Sequence, residues 1–537
     1  MTARVCSWLL TLIALTGLAP DLAAGANEFT VTGRFEYVDK EWDYGGWTGE
    51  DPVLPVRYAD VVIVDQTTGS SLGRGFTDGD GEFAVVCRSK KPAVTLRARV
   101  EADNSRWARS THGVPRLRVT NNSKVLYAAT SLSVVGHDTS ADVDVGVSTL
   151  PPVLSGSKDG QPFNIFDMGM RSFELIAGPE IGSTTRVRSM RLHWPNAIGR
   201  YALGHRAWVS SSDGYDDAVI LHEIGHVVHN LYSDSDNPGG IHYFGDSDQN
   251  PRLSFGEGYA TAFAGMVLDD MGREALYVDS LGQGQLGGYQ LHLRLETAEP
   301  YAVAALGASD EVAVACVLYD LIDDEHSVDA TPGVDDESML ASSDVSGLSP
   351  HQAWWRVFRK PIRRARNLTM NDAWDGWLKL HDDDPEYGAL RDAYEDREMR
   401  FWNDAAEPDD VPALATLVEP DGTWIGPRTL YSSSGDSPTP GPGDRDWFAV
   451  DVVAGQRLTV ETRYPSGIYD AATQVDPHLS LYTPSGKLVG KDDDAGFGRN
   501  ARLTTVPVTE TGRWTLQVRS VDRMHRYGRY ELRVQVD

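Results

Sequence analysis

Cysteine is scarce in this sequence, which has only three among 537 residues. Cys6 lies close to the N-terminus, so Cys87 and Cys316 are the two that belong to the body of the chain. Two cysteines cannot build a disulfide framework, and the sequence does not decide whether these two pair. Cys316 lies in an apolar helical stripe, and we expect it to act as a small buried hydrophobic residue.

Positive charge is also in short supply. The chain has 49 lysines and arginines against 78 aspartates and glutamates, and its formal net charge is -29. Such a surface repels nucleic acid, which is therefore a poor candidate for a partner. Acidity of this kind is typical of the solvated surface of an exported protein, and calcium binding is the second explanation.

Long apolar runs are absent beyond the N-terminus. No later segment approaches the roughly 18 continuous apolar residues that a membrane-spanning helix needs. The N-terminus combines Arg4, a short apolar run and small residues at 24–26, which is the pattern of a signal peptide. We expect residues 1–26 to be removed near Asn27 and the product to be a secreted, soluble monomer without a membrane span.

The length of the chain predicts about three folded units. Period-two alternation with frequent turns over residues 27–149 indicates an N-terminal β-sandwich. A linker at 150–160 precedes longer helical patterns with a few strands over 161–402, which indicate an α+β unit. Alternation returns over 407–537 and indicates a C-terminal, jelly-roll-like β-sandwich. The predicted fold class is therefore multidomain.

One helical segment of the central unit carries the residues with the clearest chemistry. His222 and His226 are four residues apart, so they share one helix face and can direct both imidazoles to one ion. Glu223 lies beside them and completes an HExxH arrangement. The plainer alternative is an amphipathic helix with exposed histidines. A third ligand would decide between the two.

Three positions are candidates for that third ligand. His229 lies seven residues after His222, about 10.5 Å along a helix, which is too far for both to bind one ion. The metzincin spacing requires a histidine where this chain has Tyr232. Glu257 can complete a two-histidine, one-glutamate set that leaves a position for water. Its alternative role is a capping box with Ser254, but the flanking glycines would leave room around the carboxylate and favour a ligand.

The segments LHEIGHVVHN and GEGYATAFA resemble those of the gluzincin zinc metallopeptidases. The resemblance implies a zincin-like catalytic domain over residues 161–402, with Glu223 as general base. It implies one catalytic Zn²⁺, held by His222, His226 and Glu257.

One position departs from the pattern of that family. Many members have aspartate four residues after the glutamate ligand, where this chain has Thr261. We therefore expect Asp216 or Asp217 to orient a histidine ligand. A donor must also stabilise the oxyanion that forms during hydrolysis. The candidates for this donor are His242, Tyr243, Tyr319 and His326.

The flanking units resemble modules attached to secreted peptidases. The segment ADVVIVDQTTGSSLGRGFTDGDGEFAV is similar to transthyretin-like, or carboxypeptidase-regulatory-like, modules. The segments DRDWFAVDVVAGQRLTV, DPHLSLYTPSGKLV and TGRWTLQVRS are similar to the bacterial pre-peptidase C-terminal domain. This second resemblance implies that residues 407–537 form a module that is not itself catalytic.

The loop between the two ligand segments is rich in aspartate. Carboxylates at alternate positions could hold Ca²⁺, although a solvated insertion is the simpler interpretation. The aspartates concerned are Asp234, Asp236, Asp246 and Asp248.

These observations predict a secreted zinc metallopeptidase that acts on protein or peptide substrates. The competing hypothesis is a secreted binding or adhesion protein in which the β-sandwiches act and the zincin-like unit is an inactive relic. Glu223 favours the enzyme, because a relic under no catalytic demand could readily lose its base.

Overall fold

The computed structural model describes residues 26–110, 114–151, 160–185, 189–197, 199–247, 249–280, 291–302, 305–322, 348–365, 368–381, 387–402, 404–430, 444–465, 475–520 and 528–537. The predicted signal peptide, apart from its last residue, and most of the predicted linker lie outside these ranges. Within them, every helix is too short or too polar to cross a bilayer.

The N-terminal part consists mainly of strands. They are β1 (Asn27–Val38), β2 (Trp42–Asp43), β3 (Gly46–Trp47), β4 (Val53–Pro55), β5 (Asp60–Asp65), β6 (Ser71–Phe76), β7 (Glu82–Ser89), β8 (Ala93–Glu101), β9 (Arg116–Thr120), β10 (Ala128–Thr130), β11 (Val134–Asp138) and β12 (Val143–Leu150), with a short helix α1 (Trp107–Ser110). One sheet has the order β12-β1-β4 with β7 also on β1, and another has the order β10-β8-β5-β6 with β11 also on β8. Buried and less buried residues alternate along β7 and β8, as the sequence pattern predicts.

The central part is mainly helical. Its elements are α2 (Gln161–Ala177), β13 (Ser189–Asn196), β14 (Tyr201–Leu203), β15 (Arg206–Ser210), α3 (Asp217–Tyr232), α4 (Pro251–Asp270), β16 (Leu276–Asp279), β17 (Leu291–Arg294), α5 (Glu311–Asp320), α6 (Pro350–Arg359), α7 (Met370–His381) and α8 (Tyr387–Asp396). Four strands form a sheet in the order β14-β15-β13-β9. Helix α3 follows this sheet in the chain and packs against α4, which packs against α5.

The N-terminal and central parts share one hydrophobic core, although the sequence pattern separates them. Strand β9 comes from the N-terminal part, yet it pairs in parallel with β13 of the central sheet. Helix α2 packs closely on the same strand. A Cβ added at Gly169 of α2 would lie only 2.6 Å from Leu117 Cδ2 of β9. Buried residues from both parts therefore form one continuous cluster. The periodicity of β9 shows that it is a strand but does not show which sheet it joins.

The C-terminal part is a second all-β unit. Its strands are β18 (Thr416–Leu417), β19 (Asp421–Leu430), β20 (Arg445–Val452), β21 (Arg457–Arg463), β22 (Pro477–Tyr482), β23 (Leu488–Asp492), β24 (Arg502–Pro507), β25 (Gly512–Ser520) and β26 (Gly528–Val536). They form two sheets, in the orders β18-β20-β25-β22-β23 and β19-β26-β21-β24. Trp514 in one sheet and Tyr530 in the other are buried in the same core. The predicted C-terminal β-sandwich is confirmed.

The two cysteines of the body of the chain are free and buried. Cys87 lies on the inward face of β7, and Cys316 lies within α5 with no exposed surface. Burial raises the pKa of both thiols to about 12. Cys316 therefore acts as the buried apolar residue that its sequence context predicts.

Candidate metal centre

The HExxH histidines and the third predicted ligand meet at one point. Helix α3 supplies His222 and His226, and helix α4 supplies Glu257. Each histidine Nε2 faces Glu257 Oε2, at 3.2 Å for His222 and 3.0 Å for His226, and the two Nε2 atoms are 3.1 Å apart. Ligands bound at 2.0–2.1 Å in a tetrahedron are separated by about 3.3 Å. The three atoms are therefore arranged as ligands of one ion would be.

Close contact between helices makes this convergence possible. A Cβ added at Gly225 of α3 would lie 2.9 Å from Ala260 Cα, so glycine allows α3 and α4 to approach. A Cβ at Gly258 would lie 2.5 Å from Val314 Cγ1 of α5. Gly256 allows the loop that carries Asn237 to approach α4, because a Cβ at Gly256 would lie 2.5 Å from Asn237 Nδ2. These glycines permit close packing and do not leave open space around the carboxylate.

The capping alternative for Glu257 is wrong. Helix α4 begins one turn earlier than a capping box would require, and its N-cap is Asn250, whose side chain accepts from the Arg252 N–H. Ser254 lies inside the helix and donates to the Asn250 carbonyl. Glu257 therefore lies in the second turn and points toward the histidines.

The charges around Glu257 favour the binding of a cation. Burial alone would raise the pKa of Glu257, but His226 and His222 override it and hold that pKa well below its usual range. Burial also disfavours the charged form of His226, yet Glu257 raises its pKa to about 9. Burial lowers the pKa of His222 to about 4. A buried carboxylate with two imidazoles requires one positive charge among them, and a divalent metal ion meets this requirement with two nitrogen ligands and one oxygen ligand.

Glu223 lies next to these ligands in a different environment. Its side chain is buried at 4% exposure, and its Oε2 has no hydrogen-bond partner among the described residues. Burial raises the pKa of Glu223 to about 7, with the charge of Glu257 adding to this effect. A carboxylate with a pKa near 7 can both accept and return a proton at neutral pH.

The residue that orients His222 differs from the expected one. Thr261 Oγ1 lies 3.0 Å from His222 Nδ1, so the residue that departs from the family pattern makes this contact itself. Asp216 instead accepts from the backbone N–H and hydroxyl of Ser280. Asp217 accepts from Asn164 and pairs with Arg273. The expectation that Asp216 or Asp217 orients the ligand is therefore wrong.

Removing the Thr261 hydroxyl should weaken metal binding. With Nδ1–H donating to Thr261, the His222 Nε2 keeps a lone pair for the ion. Thr261→Val keeps the shape and removes the oxygen, and we expect the Kd for Zn²⁺ to rise about tenfold or more. Competition with a chromophoric chelator measures this, with exposed Thr423→Val as control. Equal Kd values for Thr261→Val and the unchanged chain would contradict the role of Thr261.

Three residues near the ligands were not identified as a group from the sequence. Asn237 Nδ2 donates to Glu257 Oε1 at 2.9 Å and fixes the second carboxylate oxygen. His242 Nε2 lies 3.5 Å from Glu257 Oε2, and its Nδ1 lies 2.8 Å from Glu311 Oε2 at the start of α5. Of the oxyanion-donor candidates, His242 is thus beside the ligands. The Asn-Pro-Gly-Gly turn signal at 237–240 marks a loop but gives no indication of where that loop folds.

Of the remaining candidates, the structure describes His229, Tyr243 and Tyr319. His229 is buried among the rings of Phe255, Tyr259 and Phe358, which excludes it as a ligand of this centre. Tyr243 is 67% exposed, and Tyr319 is fully buried in α5. His326 lies outside the described residues.

The aspartates of the connecting loop that the structure describes form no group of possible metal ligands. Asp236 pairs with Arg252 at 3.2 Å and accepts from the Leu368 N–H. Asp234 is exposed, and Asp248 lies outside the described residues. Asp236 therefore has a structural contact of its own, and calcium binding by this loop stays a hypothesis.

Comparison with known proteins identifies one domain. Residues 444–520 match the family of the bacterial pre-peptidase C-terminal domain. This match falls within the second β-sandwich and confirms the resemblance predicted there. No curated protein matches the chain.

Two of the solved structures that match the chain cover less than a quarter of it. The pre-peptidase C-terminal domain of a collagenase from Bacillus anthracis is 18% identical, with 22% of this chain and 94% of that chain covered and a TM-score of 0.16. PliG from Aeromonas hydrophila, a periplasmic inhibitor of g-type lysozyme, is 15% identical, with 23% of this chain and 97% of that chain covered and a TM-score of 0.16. Structural similarities with such low TM-scores give no information about the metal centre or its activity.

Proposed function

We propose that this chain is a secreted zinc metallopeptidase whose catalytic centre is formed by α3 and α4. The observation that carries the proposal is the convergence of His222, His226 and Glu257 at 3.0–3.2 Å beside a buried glutamate. Two nitrogen ligands and one oxygen ligand form a set that catalytic zinc uses, with one position left for water. The pre-peptidase C-terminal domain supports action on peptide bonds, and the predicted signal peptide supports export.

Each residue of the centre has a separate role in the proposed hydrolysis. His222, His226 and Glu257 would hold the ion, which when bound supplies Lewis-acid polarisation of a carbonyl and a lowered pKa for water. Glu223 accepts a proton from the attacking water as its oxygen bonds to the peptide carbonyl carbon. Glu223 then returns that proton to the amine as the C–N bond breaks. Thr261 and Asn237 hold His222 and Glu257 in position throughout.

Removal of the metal provides the direct test. The full chain, loaded with one equivalent of Zn²⁺, should cleave members of a broad peptide library. Treatment with a chelator should abolish cleavage, and added Zn²⁺ should restore it, because attack by water on a peptide bond is very slow without a Lewis acid and a base. Cleavage that survives complete removal of metal would contradict the proposal. A loaded chain that cleaves no peptide but binds surfaces would favour the competing adhesion function.

A further inference from the structure

A second group of possible ligands shares Glu257 with the first. The group comprises His242, Glu257 and Glu311, and each residue offers an atom that lies within 4.8 Å of those of the other two. Glu311 begins α5, and His242 belongs to the loop between α3 and α4. The same carboxylate oxygen, Glu257 Oε2, faces the histidines of α3 and His242. A carboxylate in this position can bridge two ions, which in two-metal sites are about 3.5–4 Å apart.

Glu311 has an unused oxygen in a buried place. The residue is 1% exposed, and its Oε1 has no hydrogen-bond partner within the part of the chain that the structure describes. Its Oε2 contacts His242 Nδ1 at 2.8 Å. A buried carboxylate oxygen without a donor is costly, and binding a cation would remove that cost.

His242 lies between two carboxylates. If its Nδ1–H donates to Glu311, its Nε2 directs a lone pair toward Glu257 Oε2 at 3.5 Å. Two electron-rich atoms at that separation repel each other unless a positive charge lies between them. The separation is close to the edge of about 3.3 Å expected for two ligands of one tetrahedral ion.

The total charge of the region supports a second cation. Glu223, Glu257 and Glu311 are all buried, so in their ionised forms they place three negative charges around the centre. One Zn²⁺ compensates two of these charges, and Arg200 acts on Glu223 from outside the group. A second divalent ion would provide the counter-charge for Glu311.

We propose that His242, Glu257 and Glu311 hold a second divalent cation, bridged to the first through Glu257. This inference rests on the proposed function, because Glu257 is a ligand of the first ion. With one imidazole and two carboxylates, the position suits Zn²⁺, Co²⁺ or Mn²⁺. The second ion binds more weakly than the first, because its only imidazole ligand is His242, whose side chain is 31% exposed.

Metal stoichiometry tests this second position. The full chain is dialysed against buffer with excess Zn²⁺, and bound zinc is counted by elemental analysis. We expect two equivalents for the unchanged chain and for the control Glu299→Gln, whose carboxylate is exposed and pairs with Arg294. We expect one equivalent for Glu311→Gln, because the amide removes the negative charge and leaves the first ligands in place. His242→Ala serves as an independent second variant if Glu311→Gln fails to fold.

Cobalt distinguishes a bridged pair from separate sites. Titration with Co²⁺ should show an electron paramagnetic resonance signal that grows to one equivalent and weakens toward two, since ions bridged by Glu257 couple magnetically. One equivalent of zinc in the unchanged chain, or two in both Glu311→Gln and His242→Ala, would overturn the second position and leave the proposed function intact. No zinc in any chain would overturn both.

Discussion

Glu223→Gln is expected to lower kcat/KM for peptide hydrolysis by about 100- to 10,000-fold, which is the usual contribution of a positioned general base. Glutamine matches glutamate in size but cannot accept a proton from water. Because Glu223 Oε2 has no hydrogen-bond partner among the described residues, the substitution breaks no contact of that oxygen. Stability and tightly bound zinc should therefore stay close to those of the unchanged chain. Initial rates on the best peptide of a library, with zinc counted on the same samples, provide the measurement.

The pH dependence of the rate gives a second test of the same residue. Burial raises the pKa of Glu223 to about 7, so the carboxylate is protonated and inactive at lower pH. A bound dication lowers this pKa, because it favours the charged form. The rate should thus rise with pH through a step at or below about 7, and the residual rate of Glu223→Gln should lack this step. Glu299→Gln is the matched control, since it removes an exposed carboxylate. Full activity in Glu223→Gln would refute the mechanism.

The sequence predicted the parts of the centre that depend on local geometry. His222 and His226 share a helix face because of the helical repeat, so their spacing was sufficient to place them together. Glu257 was selected because its carboxylate completes the ligand set and because its flanking glycines were expected to leave room. The structure places its Oε2 within hydrogen-bonding distance of both imidazoles, although the glycines serve close packing instead. Alternation over residues 407–537 predicted strands with one buried face in the same way, and Trp514 of β25 and Tyr530 of β26 lie in the core of that unit.

The sequence could not predict the contacts that depend on how distant segments fold together. His242 and Glu311 are 69 residues apart, and neither lies in a periodic pattern that indicates the other. Strand β9 has the alternation of its neighbours, but its partner β13 lies on the far side of the predicted linker. Thr261 was taken as a missing aspartate because a carboxylate was expected, yet a hydroxyl at that position reaches the same nitrogen.

The proposed metal centre also accounts for the burial of Glu257. A carboxylate with both oxygens buried is normally fully hydrogen-bonded by donors. Glu257 Oε1 receives a hydrogen bond from Asn237, whereas Oε2 faces imidazole nitrogens, each of which donates only in a tautomer or charge state that has a proton on Nε2. Oε2 is therefore satisfied either by a proton on a histidine Nε2 or by a metal ion. At neutral pH a metal ion can hold both imidazoles of α3 in their neutral state, which is the form that ligates.

Glu257→Ala is expected to remove the tightly bound zinc. After dialysis against metal-free buffer, the unchanged chain should keep about one zinc and Glu257→Ala far less than one. Zinc at 1,000 times its Kd should stabilise the unchanged chain by about 4 kcal/mol, because the ion binds the folded form alone. Glu257→Ala should lose this shift in thermal unfolding, whereas the surface variant Glu299→Ala should keep it. Equal zinc contents in the unchanged chain and Glu257→Ala would exclude Glu257 as a ligand. An absence of zinc from both chains would favour the adhesion hypothesis, since His222 and His226 would then belong to a helix without catalytic metal.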